Sequence, residues 1–303
     1  MKRLLLLWVL LAACTSQREP NPLYAPTENV LEVVSVLRLH IDDDTYRFPP
    51  ARDFSGKNIY RVVLRRLESL EEIHEEKFQS GYLTDVILFA KGRALERLTA
   101  YELAAQHYKR VLELESPLRK QAYFSRSVCE KLDSASRIEP ASGATPSEAM
   151  SDFDRRTQML KQLQAEVEGT HYVPVVREEL ERTAAARAEY FGARRTIEPW
   201  LDVIALQQYQ LLVQDNAESK YRNAHLLELA DLYAALSRHY TRRYPPISLD
   251  FDPATFDEYA FGATRLYEAV SQQDGAIEKI EASRKLEAFL AFTLRVYDEK
   301  LPR

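Results

Sequence analysis

Cysteine is scarce in this 303-residue chain, which holds two, Cys14 and Cys129. Two cysteines allow at most one disulfide, so no multi-bridge framework staples the fold. Glycine is scarce too, at 8 residues. Few positions can therefore take positive φ cheaply, which disfavours a hairpin-rich β protein. An excess of positive charge is missing: Lys and Arg total 41 against 46 Asp and Glu, a net charge of −5. That balance argues against a nucleic-acid binder, whose affinity rests on a basic surface. No G-x-S-x-G, P-loop, G-x-G-x-x-G or H-E-x-x-H pattern occurs. Beyond residue 11 no stretch is apolar enough to span a bilayer. What remains is ordinary for a folded chain, with 46% apolar and 29% charged residues, so disorder is excluded for most of it. Leu, Ala, Glu and Arg are abundant, and these strong helix formers tilt the composition toward all-α.

The chain opens Met1-Lys2-Arg3 and then runs LLLLWVLL from Leu4 to Leu11. A basic start, a short apolar run and small residues after it make a secretory signal. The segment closes Leu11-Ala12-Ala13-Cys14, which resembles the lipobox of bacterial lipoproteins. The resemblance implies cleavage before Cys14 and lipidation of that residue. Residues 1–13 are then a signal peptide, 14–26 a lipidated cysteine and polar tether, and 27–303 the folded part. Several acyl chains anchor stably where one does not, at about 0.8 kcal/mol per buried CH₂. Thr15 and Ser16 follow the cysteine, with no Asp. By similarity to enterobacterial lipoproteins this implies the outer membrane, facing the periplasm.

The body reads as about ten helices joined by short turns, with no competing strand alternation. Expected helices cover 27–39, 57–79, 83–98, 101–115, 116–136, 148–168, 174–195, 199–214, 220–241, 253–272 and 276–299. In 57–79, Ile59, Val63, Leu67, Leu70 and Ile73 recur at three- and four-residue steps, an amphipathic stripe. Thr27, Ser116 and Asp252 are expected caps, the last two followed by Pro at the first helical position. Residues 40–56, 138–147 and 242–253 break the pattern with Pro and Gly, and the last two are expected sub-boundaries. Sequential antiparallel helices with short links make a bundle or an α-solenoid.

Residues 88–117, LFAKGRALERLTAYELAAQHYKRVLELESP, resemble a tetratricopeptide repeat. Gly92 and Ala94 stand where that repeat packs its first helix closely. Tyr101 is at the turn, Ala104 and Tyr108 are the small and aromatic residues of the second helix, and Pro117 closes the unit one residue late. A second match begins at Ala205, Tyr209 and Leu212 and restarts with Leu226, Ala230 and Tyr233. Ala263, Tyr267 and Val270 echo it faintly. The resemblance implies helix pairs stacked as an α-solenoid or irregular right-handed superhelix, and a scaffold that binds envelope proteins or peptides. It also implies that Phe89, Arg93, Glu96 and Arg97 are exposed first-helix positions that contact a partner.

Other constellations point away from chemistry. Glu71-x-x-His74 is half of a di-iron ligand pair, and the other half is missing. Asp42-Asp43-Asp44 and Asp250-x-Asp252 lack the Gly and distal Glu of a calcium loop. Cys129 sits in a helical apolar pattern and is expected to pack in the core. No catalytic residue, metal or cofactor is expected. The competing reading is a helical envelope enzyme, or a regulatory subunit, acting on peptidoglycan or another surface polymer; it needs two inward carboxylates at a cleft. A third is a binder of a small ligand or lipid, which needs a closed apolar pocket.

Overall fold

A computed structural model describes residues 26–42, 58–79, 81 and 83–300. Cys14, the signal segment, the tether and most of the 40–56 loop lie outside these residues. Twelve α-helices and one 3₁₀ turn make up the described chain, with no strand among the described residues. The all-α expectation therefore holds. Helices pack mainly on their neighbours in sequence, as a solenoid-like order requires. Two compact units divide between Cys129 and Glu130, inside a helix and ahead of the 138–147 loop.

In the first unit, α1 (Pro26–Asp42) packs on α2 (Asn58–Ile73), and α2 on α4 (Thr84–Arg97). Between them lies the single-turn α3 (Glu75–Gln79). Val30, Val33 and Leu37 of α1 face Tyr60, Val63 and Leu67 of α2, all buried, with Ile87, Ala90 and Ala94 of α4 closing the core. The three- and four-residue spacing puts each set on one helix face. Burying a Leu or Val side chain stabilises by roughly 1.5–3 kcal/mol, so this layer dominates over the exposed Arg66–Glu32 ion pair at 3.2 Å. Three details differ from the sequence reading. Pro26 opens α1, so Thr27 lies inside the helix. The expected 57–79 helix breaks at His74, and Ile73, the end of its stripe, faces solvent.

From α4 the chain turns through three residues into α5 (Tyr101–Leu112). The turn is a Schellman motif, with the Ala100 amide donating to the Leu95 carbonyl and the Thr99 amide to the Glu96 carbonyl. Helix α6 (Arg119–Ser136) follows and crosses the division between units. It starts later than expected because Ser116 caps a turn, accepting the Leu118 amide at 3.0 Å and donating to Asp85 at 2.6 Å.

The second unit continues with α7 (Pro146–Glu166), α8 (Val173–Arg194), the 3₁₀ turn Pro199–Leu201, α9 (Asp202–Asp215), α10 (Arg222–Arg243), α11 (Pro253–Ser271) and α12 (Lys279–Lys300). Each of these helices packs on the next. Phe191, Leu201, Ala205, Leu232 and Leu236 fill one core. Phe256, Tyr267 and Phe289 anchor a second, between α10, α11 and α12. Asp231 of α10 ties that trio together, accepting from the Tyr267 hydroxyl of α11 and from Lys285 of α12, each at 2.7 Å.

One contact recurs in both units. A glycine on one helix receives the ring of a tyrosine from a helix adjacent in sequence. A Cβ on Gly92 would lie 2.6 Å from the Tyr108 ring, on Gly262 2.9 Å from Tyr233, and on Gly192 3.0 Å from Tyr209. Only a missing side chain lets the ring lie that close, and the ring then fills the groove between two helices.

Candidate interaction surface

The four residues expected to contact a partner share one face of α4, as their spacing requires. That face turns inward. Glu96 is 1% exposed and Arg97 6%. The Tyr108 hydroxyl donates to Glu96 at 2.9 Å, the Arg93 guanidinium at 3.1 Å, and the Cys129 thiol approaches at 3.6 Å. Arg97 lies 5.6 Å from the Tyr60 ring centroid. Glu96 and Arg97 are therefore internal struts, a correction to the expectation of an exposed patch. The cause is Gly92, which draws Tyr108 across α4 and brings its hydroxyl to Glu96. Phe89 and Arg93 are half-buried. Arg93 stacks 5.2 Å above Phe89, whose ring meets Tyr108 edge-on at 5.2 Å. Only these two of the four reach the surface.

The second unit carries a cleft of about 340 Å³ between α7 and α8. Phe153, Ala186 and Tyr190 form its apolar wall, Pro140 and Glu139 of the preceding loop its lip, and Arg156 its polar lining. Phe153 and Tyr190 meet edge-on at 6.0 Å, and the Tyr190 hydroxyl donates to the Ala144 carbonyl at 3.1 Å. This bond ties the 137–145 loop to α8. Arg156 is buried and pairs with buried Glu179 at 2.7 Å. Removing one partner of such a pair leaves the other uncompensated, at about 3–5 kcal/mol. The pair belongs to a chain of charges: Arg182 bonds Glu179 and also Glu178 at 3.1 Å, and Lys220 reaches Glu178 at 3.4 Å.

Beside that chain, the turn before α10 is pinned to α8. Ser219 donates to Glu181 at 2.5 Å, and Nε2 of His225 lies 2.7 Å from the same carboxylate. Burial alone would lower the His225 pKa. The hydrogen bond to Glu181, with the charge of Glu228 4.0 Å from Nδ1, outweighs it and raises the value to about 9. The imidazolium is a buried cation held by two carboxylates, a structural lock between α8 and α10.

No family model matches this chain, and no curated protein matches it.

The remaining sequence candidates take structural places. Glu71 is ion-paired with Lys91. His74 packs edge-on against Phe78 at 6.3 Å. Asp252 caps α11, accepting the Ala254 and Thr255 amides at 3.2 Å. Cys129 is buried, as its helical apolar pattern predicts. Among the described residues no group of three or more His, Cys, Asp or Glu is placed to hold a metal ion. Sequence reasoning missed the Arg156–Glu179 and Glu181–His225 pairs. Their partners lie 23 and 44 residues apart, and only the helix register brings them together.

Proposed function

We propose that this chain is a lipid-anchored envelope protein that acts as a non-catalytic scaffold for other envelope proteins or peptides. Its helices resemble tetratricopeptide pairs, and binding would occur by shape and side-chain complementarity in clefts between them. The observation that carries the reading is the recurrence of the glycine–tyrosine contact in both units. It builds three helix pairs, α4–α5, α8–α9 and α10–α11, around the same close approach. The α7–α8 cleft suits a peptide, with aromatic walls that supply contact area at small entropic cost. Its two carboxylates, Glu139 and Glu189, are solvent-exposed, whereas a general acid working near neutral pH is tuned by burial. That supports binding over polymer cleavage.

The anchoring part of the reading is supported by Leu11-Ala12-Ala13-Cys14, whose likeness to a lipobox favours an acyl group on Cys14 and, by the residues after it, the periplasmic face of the outer membrane. The test is crosslinked affinity purification of the full-length protein from cells, beside Cys14→Ala. Wild type should incorporate labelled palmitate and retain a defined envelope partner. Cys14→Ala should lose the label and most of the partner, because tethering raises the effective concentration at the membrane. A wild-type chain that takes up the label and crosslinks to nothing overturns the scaffold reading.

A further inference from the structure

In the second unit, α8 to α11 run alternately up and down, so the α8–α9 and α10–α11 connections lie on one edge. Asp202, at the start of α9, fixes this: it pairs with Arg195 at 2.9 Å and lies 3.6 Å from His239 in the penultimate turn of α10. Both connections present apolar side chains outward. Ile197 is 79% exposed, Trp200 61% and Val203 76%; on the other connection Ile247 is 82% and Leu249 fully exposed.

These tips are built. Leu201 is buried while its neighbour Trp200 faces out, and the Leu201 amide donates to the Glu198 carbonyl at 2.9 Å. In the second connection the Ser248 amide donates to the Pro245 carbonyl at 2.8 Å and the Phe251 amide to the Ser248 carbonyl at 3.2 Å. Phe251 is turned into the core. The Tyr240 hydroxyl accepts the Asp252 amide at 2.8 Å and fixes the end of the loop. Each loop thus buries one large side chain and offers others to the outside.

We propose that this edge docks onto a lipid bilayer, with Trp200 and the four aliphatic tips entering the headgroup–acyl boundary. Shape argues for lipid over a peptide. The apolar groups stand on projecting tips of two separate loops, and a peptide needs a groove. Charge is compatible with it. Arg242 and Arg243, both exposed, close α10 a few residues before Ile247 and Leu249, and long basic side chains near Trp and aliphatic groups suit an anionic interface. Of the acidic groups on the edge, Glu198 pairs with Arg194 at 2.7 Å, Asp202 pairs with Arg195 at 2.9 Å and Asp252 is engaged by the α11 amides, which leaves exposed Asp250 against the two arginines. The inference rests on the anchoring reading, which keeps the chain beside a membrane.

Trp200 supplies the readout. The chain has two tryptophans, Trp8 and Trp200; cleavage before Cys14 leaves Trp200 alone in the acylated protein, and Trp8→Phe keeps it the single reporter in a chain that escapes cleavage. It is reconstituted into vesicles of phosphatidylethanolamine with a minority of phosphatidylglycerol, with and without acyl-brominated lipid. Docking predicts emission shifted to shorter wavelength, quenching by the brominated lipid and protection from aqueous iodide. Adding Ile247→Asp and Leu249→Asp, at positions that face solvent, should abolish the lipid quenching while the helical circular dichroism stays unchanged. Trp200 in vesicle-bound protein that is open to iodide and untouched by the brominated lipid overturns the proposal. Failure of the anchoring reading is separate: the purified chain then has no acyl mass on Cys14. The same two quenchers applied to that chain mixed with vesicles decide the docking question in turn.

Discussion

Thr99 sits in the left-handed region, with φ of 63°, at the one position of the α4–α5 turn where a Schellman motif favours glycine. A β-branched residue there costs about 1–2 kcal/mol, and glycine brings back roughly 0.5–1 kcal/mol of unfolded-state entropy. Thr99→Gly should therefore raise stability by about 0.5–1 kcal/mol, read as a higher thermal midpoint. His225 gives a pH signature. Its folded pKa of about 9 exceeds the ordinary 6.5, so its contribution is complete below about pH 6.5 and is lost as pH rises through 9. At about 1.4 kcal/mol per unit the full effect is of order 3 kcal/mol. Urea unfolding from pH 6 to 10 should show wild type weakening over that window more than His225→Gln, and equal slopes for the two would reject the buried imidazolium.

At the scale of helices, the glycine–tyrosine contacts rank by distance. Gly92→Ala puts a methyl 2.6 Å from the Tyr108 ring, against 3.0 Å from Tyr209 for Gly192→Ala. Overpacking costs about 1–3 kcal/mol, so Gly92→Ala should destabilise toward the upper end and Gly192→Ala least of the three, by denaturant midpoint. Adding Tyr108→Leu to Gly92→Ala should recover part of the loss, the non-additivity expected of touching residues. Helix starts show how much the sequence could tell. Asp252-Pro253 was legible as cap and first turn. Thr145-Pro146-Ser147-Glu148 carries an equally plain signal: Thr145 accepts the Glu148 amide at 3.3 Å and Glu148 accepts the Thr145 amide at 2.8 Å, a capping box. Extending the 138–147 loop over it starts α7 two residues late. Thr145→Ala should cost about 1 kcal/mol. The burial of Glu96 and Arg97 was not legible, because one helix's periodicity gives a face and does not say how many neighbours cover it.

Across the whole chain, helix identity came from periodicity and punctuation, and the division at Cys129 did not, since it falls within an unbroken helix. The α7–α8 cleft was also invisible. Its wall joins Phe153 to Tyr190, and its lip comes from a loop that composition alone marks as a spacer. A groove-filling change tests the cleft at this scale. Ala186→Trp, at a half-buried lining position, should leave the helical content intact and weaken partner retention in the crosslinked purification. Retention equal to wild type would move the binding face elsewhere.

The thiol of Cys129 has a further use. If the sulfur of Cys14 is consumed by its acyl linkage, Cys129 is the last reactive sulfur in the mature chain. It is 0% exposed, with its sulfur 3.6 Å from the Glu96 carboxylate. A thiol-specific reagent can reach it only when that packing comes apart. The labelling rate in native buffer is then a clock for opening of the first unit, and the ratio of that rate to the rate in denaturant gives its opening free energy. The clock runs with no fluorophore or engineered probe, in the intact protein.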